Sequence, residues 1–217
     1  MENYYKTLPE GYREVKVVDA KEKKTSVLFV VFSFVLTAII IVPVLLTFGN
    51  LRSLAEEYGR TRMLIADAVF LVSLVIYLIL HELVHGAVYK ALTHQKLTFG
   101  FTLTVAFCGV PDVYTSRKTA LVALLAPFVT FSVILIPLTI WFYSFNRLYY
   151  LLSGILFAIH FGGCIGDLYM TYLLLFKYKD PRTLMNDTGP KQTIFCPIEI
   201  NPSNSNHFFA QWNIHSS

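Results

Sequence analysis

Charge is scarce in this chain. Of its 217 residues, 15% are Asp, Glu, Lys or Arg and 55% are hydrophobic, with a mean hydropathy of +0.55. That balance excludes an ordinary soluble domain and points to a multispanning membrane protein. Cysteine is scarce too. Cys108, Cys164 and Cys196 are odd in number and widely spaced, which gives neither a disulfide framework nor a CxxC metal site. No cleavable signal peptide is expected, because the first 26 residues are polar and the first apolar run is too long for an h-region. That run is expected to stay as a signal anchor. Net charge is +4, but in a membrane protein the distribution of charge is more informative than its sum. No internal repeat is visible and no nucleic-acid partner is expected.

What is present is a set of long apolar runs. The first extends from about Val27 to Phe48, enough for a ~30 Å hydrocarbon core at ~1.5 Å per residue. Pro43 is expected to kink it and Gly49-Asn50 to stop it. Residues 51–62 read as a short polar loop or interfacial helix. The second run goes from about Met63 to Leu92. The third goes from about Thr119 to Tyr143, where Pro127 and Pro137 are expected to bend or break it. A very short loop then pairs it antiparallel with a fourth run, from about Leu148 to Phe176.

Residues 97–107 change period. Leu97, Phe99, Phe101, Leu103, Val105 and Phe107 alternate with Thr98, Gly100, Thr102, Thr104 and Ala106, which argues a β-strand. Gly109 to Asp112 punctuates it as a turn. This strand or hairpin should lie beside the site, packed on protein or lining a cavity. Thr98, Thr102 and Thr104 are taken as its substrate-holding residues. The expected fold is an all-α polytopic membrane protein of about four transmembrane helices with this short β insertion. It divides into an N-terminal segment 1–26, a membrane domain 27–176, and a polar, partly irregular tail 177–217.

Four spans put both termini on one side. Of the eighteen Lys and Arg, fourteen fall on the N-terminal segment, the end of the second span with the loop after it, and the tail. Only Arg52, Arg60, Arg62 and Arg147 fall on the other side, so both termini are expected in the cytoplasm of a multi-pass cell-membrane protein.

Residues 81–85 read His-Glu-Leu-Val-His and end a stretch free of charge from Ala68 to Leu80. Histidines four apart share a helix face and can grip one metal ion, while Glu82 between them can act as general base. Three such groups in apolar surroundings cost several kcal/mol, roughly, unless paired or ligating. A buried, hydrogen-bonded polar cluster is the alternative. Tyr77, one turn before His81, is either a supporting group or plain helix packing.

A catalytic zinc usually needs a third protein ligand. The metzincin continuation fails, since Val88 and Ala91 stand where a glycine and a histidine are needed, and Glu199 is the only glutamate after Glu82. Asp112, His160, Asp167, Asp180 and Asp187 remain. His81 lies about 18 residues into the second span and Asp167 about 19 into the fourth, so helical rise brings both to nearly the same depth. An intramembrane carboxylate also calls for a partner, and Gly162, Gly163 and Gly166 let another helix approach closely. Asp167 therefore ranks first. His160 is read as a group supporting the ligands, lining the substrate cleft or simply packing.

With these residues in place, the chain resembles intramembrane zinc metalloproteases of the site-2 class. It looks closer still to small bacterial membrane proteins of the zincin-peptidase type, a domain family of unknown function. The likeness covers roughly residues 63–190, through His81, Glu82 and His85, Ala126-Pro127-Phe128, Gly166-Asp167 and Asp187-Thr188-Gly189. It implies His81 and His85 as zinc ligands, Glu82 as base and Asp167 as the aspartate ligand. The surrounding Ile-Gly-Asp-Leu departs from the Asn-Pro and Leu-Asp-Gly context of the site-2 class. The expected activity is zinc-dependent hydrolysis of a membrane-embedded or membrane-proximal polypeptide, in contact with the lipid bilayer. A membrane metallohydrolase with a non-peptide substrate, or a non-enzymatic membrane protein with a structural polar cluster, are the rivals.

Overall fold

The computed structural model describes residues 2–50, 52–101 and 106–198. The apolar runs form helices because they are long, uninterrupted by polar turn residues and rich in Leu, Ile, Val and Phe. Helix α1 is Lys23–Phe48, α2 is Arg52–Thr93 with a non-helical kink at Gly59, and α3 is Arg117–Phe145. Three helical stretches, Lys23–Phe48, Glu56–Thr93 and Arg117–Phe145, are long and apolar enough to cross a membrane by length and composition. A fourth candidate is broken: α4, Arg147–Gly163, meets α5, Ile165–Tyr172, and a π-helical turn, Leu173–Lys177, at 40°. Large apolar side chains ring α1 and α2 on the outside, Phe34, Leu64, Val72 and Ile79 among them. In water that surface would cost about 25 cal/mol per Å².

Two expectations about these helices are corrected. Pro127 and Pro137 do not break α3, which runs unbroken from Arg117 to Phe145. A proline removes one helical hydrogen bond, and a neighbouring element can take up the freed carbonyl. The fourth run is not one helix, because the chain turns at Cys164 immediately after Gly162 and Gly163. Of the three glycines there, only Gly162 meets a helix closely. A Cβ on it would lie 2.1 Å from Thr37 Oγ1 and 2.7 Å from the Ser33 carbonyl of α1. Gly163 faces open space, and Gly166 stands 3.7 Å from Phe29. Gly154 makes the second close approach, against Val44. Helix α1 thus packs along α4, α4 along α3 and α3 along α2, leaving α1 and α2 as the outer pair.

The sheet is larger than one hairpin. Strands β1 (Tyr4–Tyr5), β2 (Tyr12–Asp19), β3 (Thr98–Phe101), β4 (Ala106–Ser116), β5 (Leu184–Asp187) and β6 (Lys191–Pro197) form an antiparallel set in the order β1-β4-β5-β6-β2, with β3 also on β4. The expected all-α class is corrected accordingly to a mostly helical chain with a small antiparallel sheet. The alternating stretch at 97–107 is a hairpin whose tip, including Thr102 and Thr104, lies outside the described residues. The expected turn at 109–112 is instead part of β4, where a bulge between Val110 and Thr115 absorbs Pro111. The Asn186 amide donates to the carbonyls of Pro111 and Val113 across that bulge, replacing ladder bonds. The start of the polar tail is regular as well: β5 and β6 turn back at Gly189, whose φ of 98° favours glycine. Strand β2 pairs with β6 from Tyr12↔Pro197 to Asp19↔Lys191. The sheet packs on α3 and α5 through Val18, Ala120, Leu124, Met170, Leu174 and Ile194.

Candidate metal centre

Tyr77, His81, His85, Tyr89 and Thr93 recur every four residues along α2, and all are buried. Helical geometry places them in one stripe, and the stripe faces the protein while Leu78, Ile79 and Leu83 face outward. Every member carries a polar tip, so each needs a partner. The Tyr89 hydroxyl donates to Asp187 Oδ2 at 2.7 Å, and the Thr93 hydroxyl donates to the Tyr89 carbonyl at 2.6 Å.

The two histidines meet Asp167, which lies in the first turn of α5 just past the break at Cys164. His81 Nε2 and His85 Nε2 each lie 3.4 Å from Asp167 Oδ2. Two atoms bound at ~2.0–2.2 Å to a tetrahedral zinc are roughly 3.3–3.5 Å apart, so these separations fit the edges of a zinc tetrahedron. Two imidazoles and one carboxylate are also a donor set that zinc accepts. The remaining ring nitrogens are engaged elsewhere. His85 Nδ1–H donates to the Ala123 carbonyl at 2.9 Å, a bond that leaves the Nε2 lone pair facing Asp167.

His81 Nδ1 lies 3.2 Å from the Tyr77 hydroxyl, which is 2.9 Å from His160 Nδ1, and His160 Nε2 is 3.2 Å from Ser132 Oγ. One proton order satisfies this row and leaves His81 Nε2 unprotonated. His81 Nδ1–H donates to Tyr77, Tyr77 donates to His160 Nδ1, and His160 Nε2–H donates to Ser132. A second group of ligand types, His81, His160 and Cys164, also lies within 4.8 Å. The Tyr77 hydroxyl stands between its two imidazoles, hydrogen-bonded to both.

The centre opens onto a cavity of about 500 Å³. Its walls are α1 (Phe29, Ser33), α2 (His81, Glu82), the α4–α5 junction and the strand edge at Ala106–Cys108. No side chain among the described residues hydrogen-bonds to Glu82, which leaves its carboxylate free toward that space.

The other ligand candidates are placed elsewhere. Asp112 is exposed in the β4 bulge, and Asp180 pairs with Arg182 at 2.6 Å. Asp187 is buried and borders the same cavity, but its oxygens accept from Tyr89, from the Gly189 N–H and from the Gln192 amide. Burial pushes the Asp187 carboxyl up to about 6. Thr98 is exposed on β3 opposite Gly109, so the cavity wall is made by β4 instead. Tyr89 is the site neighbour that the sequence reading passes over. Its signal was present: it continues the four-residue spacing of Tyr77, His81 and His85.

A helical protein presenting His-Glu-x-x-His next to a carboxylate that could serve as the third ligand has the layout of a zincin. Residues 74–181 match the model of the family described as "Putative zincin peptidase", and over that segment the chain belongs to this family. The matched segment holds His81, Glu82, His85 and Asp167 and leaves out β1, β2, β5 and β6. No curated protein and no solved structure matches the chain.

Proposed function

We propose that the protein is a zinc-dependent peptidase of the site-2 design that cuts polypeptides within or next to the cell membrane. The observation that carries this reading is the pair of 3.4 Å approaches of His81 and His85 to Asp167, inside a cavity between long apolar helices and a sheet. His81, His85 and Asp167 would hold the ion. Bound zinc would polarise the scissile carbonyl and lower the pKa of the attacking water. Glu82 accepts the proton of that water and returns it to the leaving amine. Because α1 and α2 are the outer pair and both line the cavity, a membrane-embedded segment would reach Glu82 between them. Among the described residues β3 pairs only with β4, and its outer edge offers backbone groups to a locally unwound substrate.

Metal analysis on purified protein tests the reading. The wild type is expected to hold about one zinc per chain, as a single three-ligand site does. His85→Ala and Asp167→Ala should strip it, and Glu82→Gln should keep it while ending turnover. Zinc retained in Asp167→Ala but lost in His160→Ala would transfer the ligand role to His160. A wild type without zinc would leave a structural membrane protein. Zinc binding with the expected variant pattern, but with no polypeptide cleaved in membranes, would favour the non-peptide hydrolase.

A further inference from the structure

Helix α3 carries Pro127 in its interior, four residues after Ala123. In a regular helix the N–H of residue 127 donates to the carbonyl of residue 123. Proline has no N–H, and its ring clashes with an axial carbonyl four residues back, so the Ala123 carbonyl is released from the helix. That carbonyl is the one that accepts from His85 Nδ1–H at 2.9 Å. Ala123 is fully buried and packs beside Tyr89, Val110 and Val113, with no water-exposed face to satisfy its oxygen otherwise. His85 is itself buried and needs an acceptor for Nδ1–H if its Nε2 is to stay unprotonated toward Asp167.

We infer that Pro127 is a positioning residue for the metal centre. By deleting one helical hydrogen bond it supplies the carbonyl that fixes the tautomer and ring orientation of His85. This rests on the zinc-peptidase reading above and adds a group that touches neither metal nor substrate. The role runs against ordinary helix stability, since an interior proline weakens the helix it sits in. It also separates Pro127 from Pro137, the second interior proline of α3, which has no such histidine partner among the described residues.

The test is a zinc-affinity titration against a competing chelator on full-length protein in detergent, with the melting temperature of the zinc-free form measured alongside. Pro127→Ala restores the N–H, so zinc affinity should fall about tenfold or more, as loss of an outer hydrogen-bond partner does. The zinc-free protein should melt at the same temperature or higher. Pro137→Ala, the same change at the control position, should leave zinc affinity unchanged. Lactic acid introduced at position 127 in place of proline has neither ring nor N–H, and should bind zinc within about twofold of wild type if the missing donor is what matters. Wild-type affinity in Pro127→Ala overturns the inference, as does an equal loss in the lactate form, which would assign the effect to ring packing. A zinc-free wild type, or full zinc retention in His85→Ala, would overturn the peptidase reading as well.

Discussion

Asp187 is a buried carboxylate whose three hydrogen bonds all come from uncharged donors: a tyrosine hydroxyl, a backbone N–H and a glutamine amide. Desolvation wins over those bonds and raises its pKa from 3.8 to about 6. The folded state therefore holds this proton more tightly than the unfolded chain. The stability that results is complete below about pH 4 and is lost as pH rises through about 6. Asp187→Asn stays neutral throughout. Its melting temperature, compared with wild type, should improve between pH 4.5 and pH 7, and a constant difference across that range would contradict the assignment. At this scale much of the site was legible. His81, Glu82 and His85 announce themselves because three ionisable groups in an apolar run need a reason. Asp167 ranks first from helical rise together with its place as a carboxylate in an apolar run, and the structure brings it to both histidines. The acceptor roles of Ala123 and Asp187 were not legible, because a backbone carbonyl and a tail aspartate acquire a role only when distant segments meet.

Among the elements, the seam between α1 and α4 shows how little space the packing leaves. The atom nearest a Cβ on Gly162 is a threonine hydroxyl, which can rotate away, but the next is the Ser33 backbone carbonyl at 2.7 Å, which cannot. Gly162→Leu should destabilise the protein by about 1–3 kcal/mol, the usual cost of overpacking. Gly163→Ala, with nothing within 4 Å, should melt within a degree or two of wild type, allowing for a surface change of about ±0.5 kcal/mol. Thermal melts in detergent compare the two, and equal losses would mean the seam yields. The long helices were readable from hydropathy because length and composition suffice for them. The hairpin was readable from its period of two. The break at Cys164 was not, since glycines permit a break without requiring one. Strand β4 was hidden by Pro111, which reads as a turn until the Asn186 amide is seen bridging the bulge. Strands β5 and β6 are four and seven residues long, too short and too polar to show a pattern.

For the molecule as a whole, the sheet joins the N-terminal segment, the loop after α2 and the tail, which together with the adjoining end of α2 and start of α3 carry fourteen of the eighteen basic residues. Three segments hydrogen-bonded into one sheet would share one side of any membrane that the helices cross, and we propose from the positive-inside rule that this side is the cytoplasm. Single cysteines placed at Glu10 and Asp180 should resist an impermeant thiol reagent in intact cells, whereas one at Arg62 should react. Labelling at Glu10 with protection at Arg62 would invert the orientation. The pairing of β2 with β6 has a further consequence, for the timing of biogenesis. Tyr12 finds Pro197 only after nearly all of the described chain has been made. Closing so long a loop is slow relative to forming local helices. The apolar helices can thus form, and His81, His85 and Asp167 can meet, while the wall formed by Val18, Ala20, Pro190 and Gln192 does not yet exist. A nascent chain caught at that stage would hold the residues of the candidate metal centre in an unfinished chamber. It would gain that wall only when its two distant strands have paired.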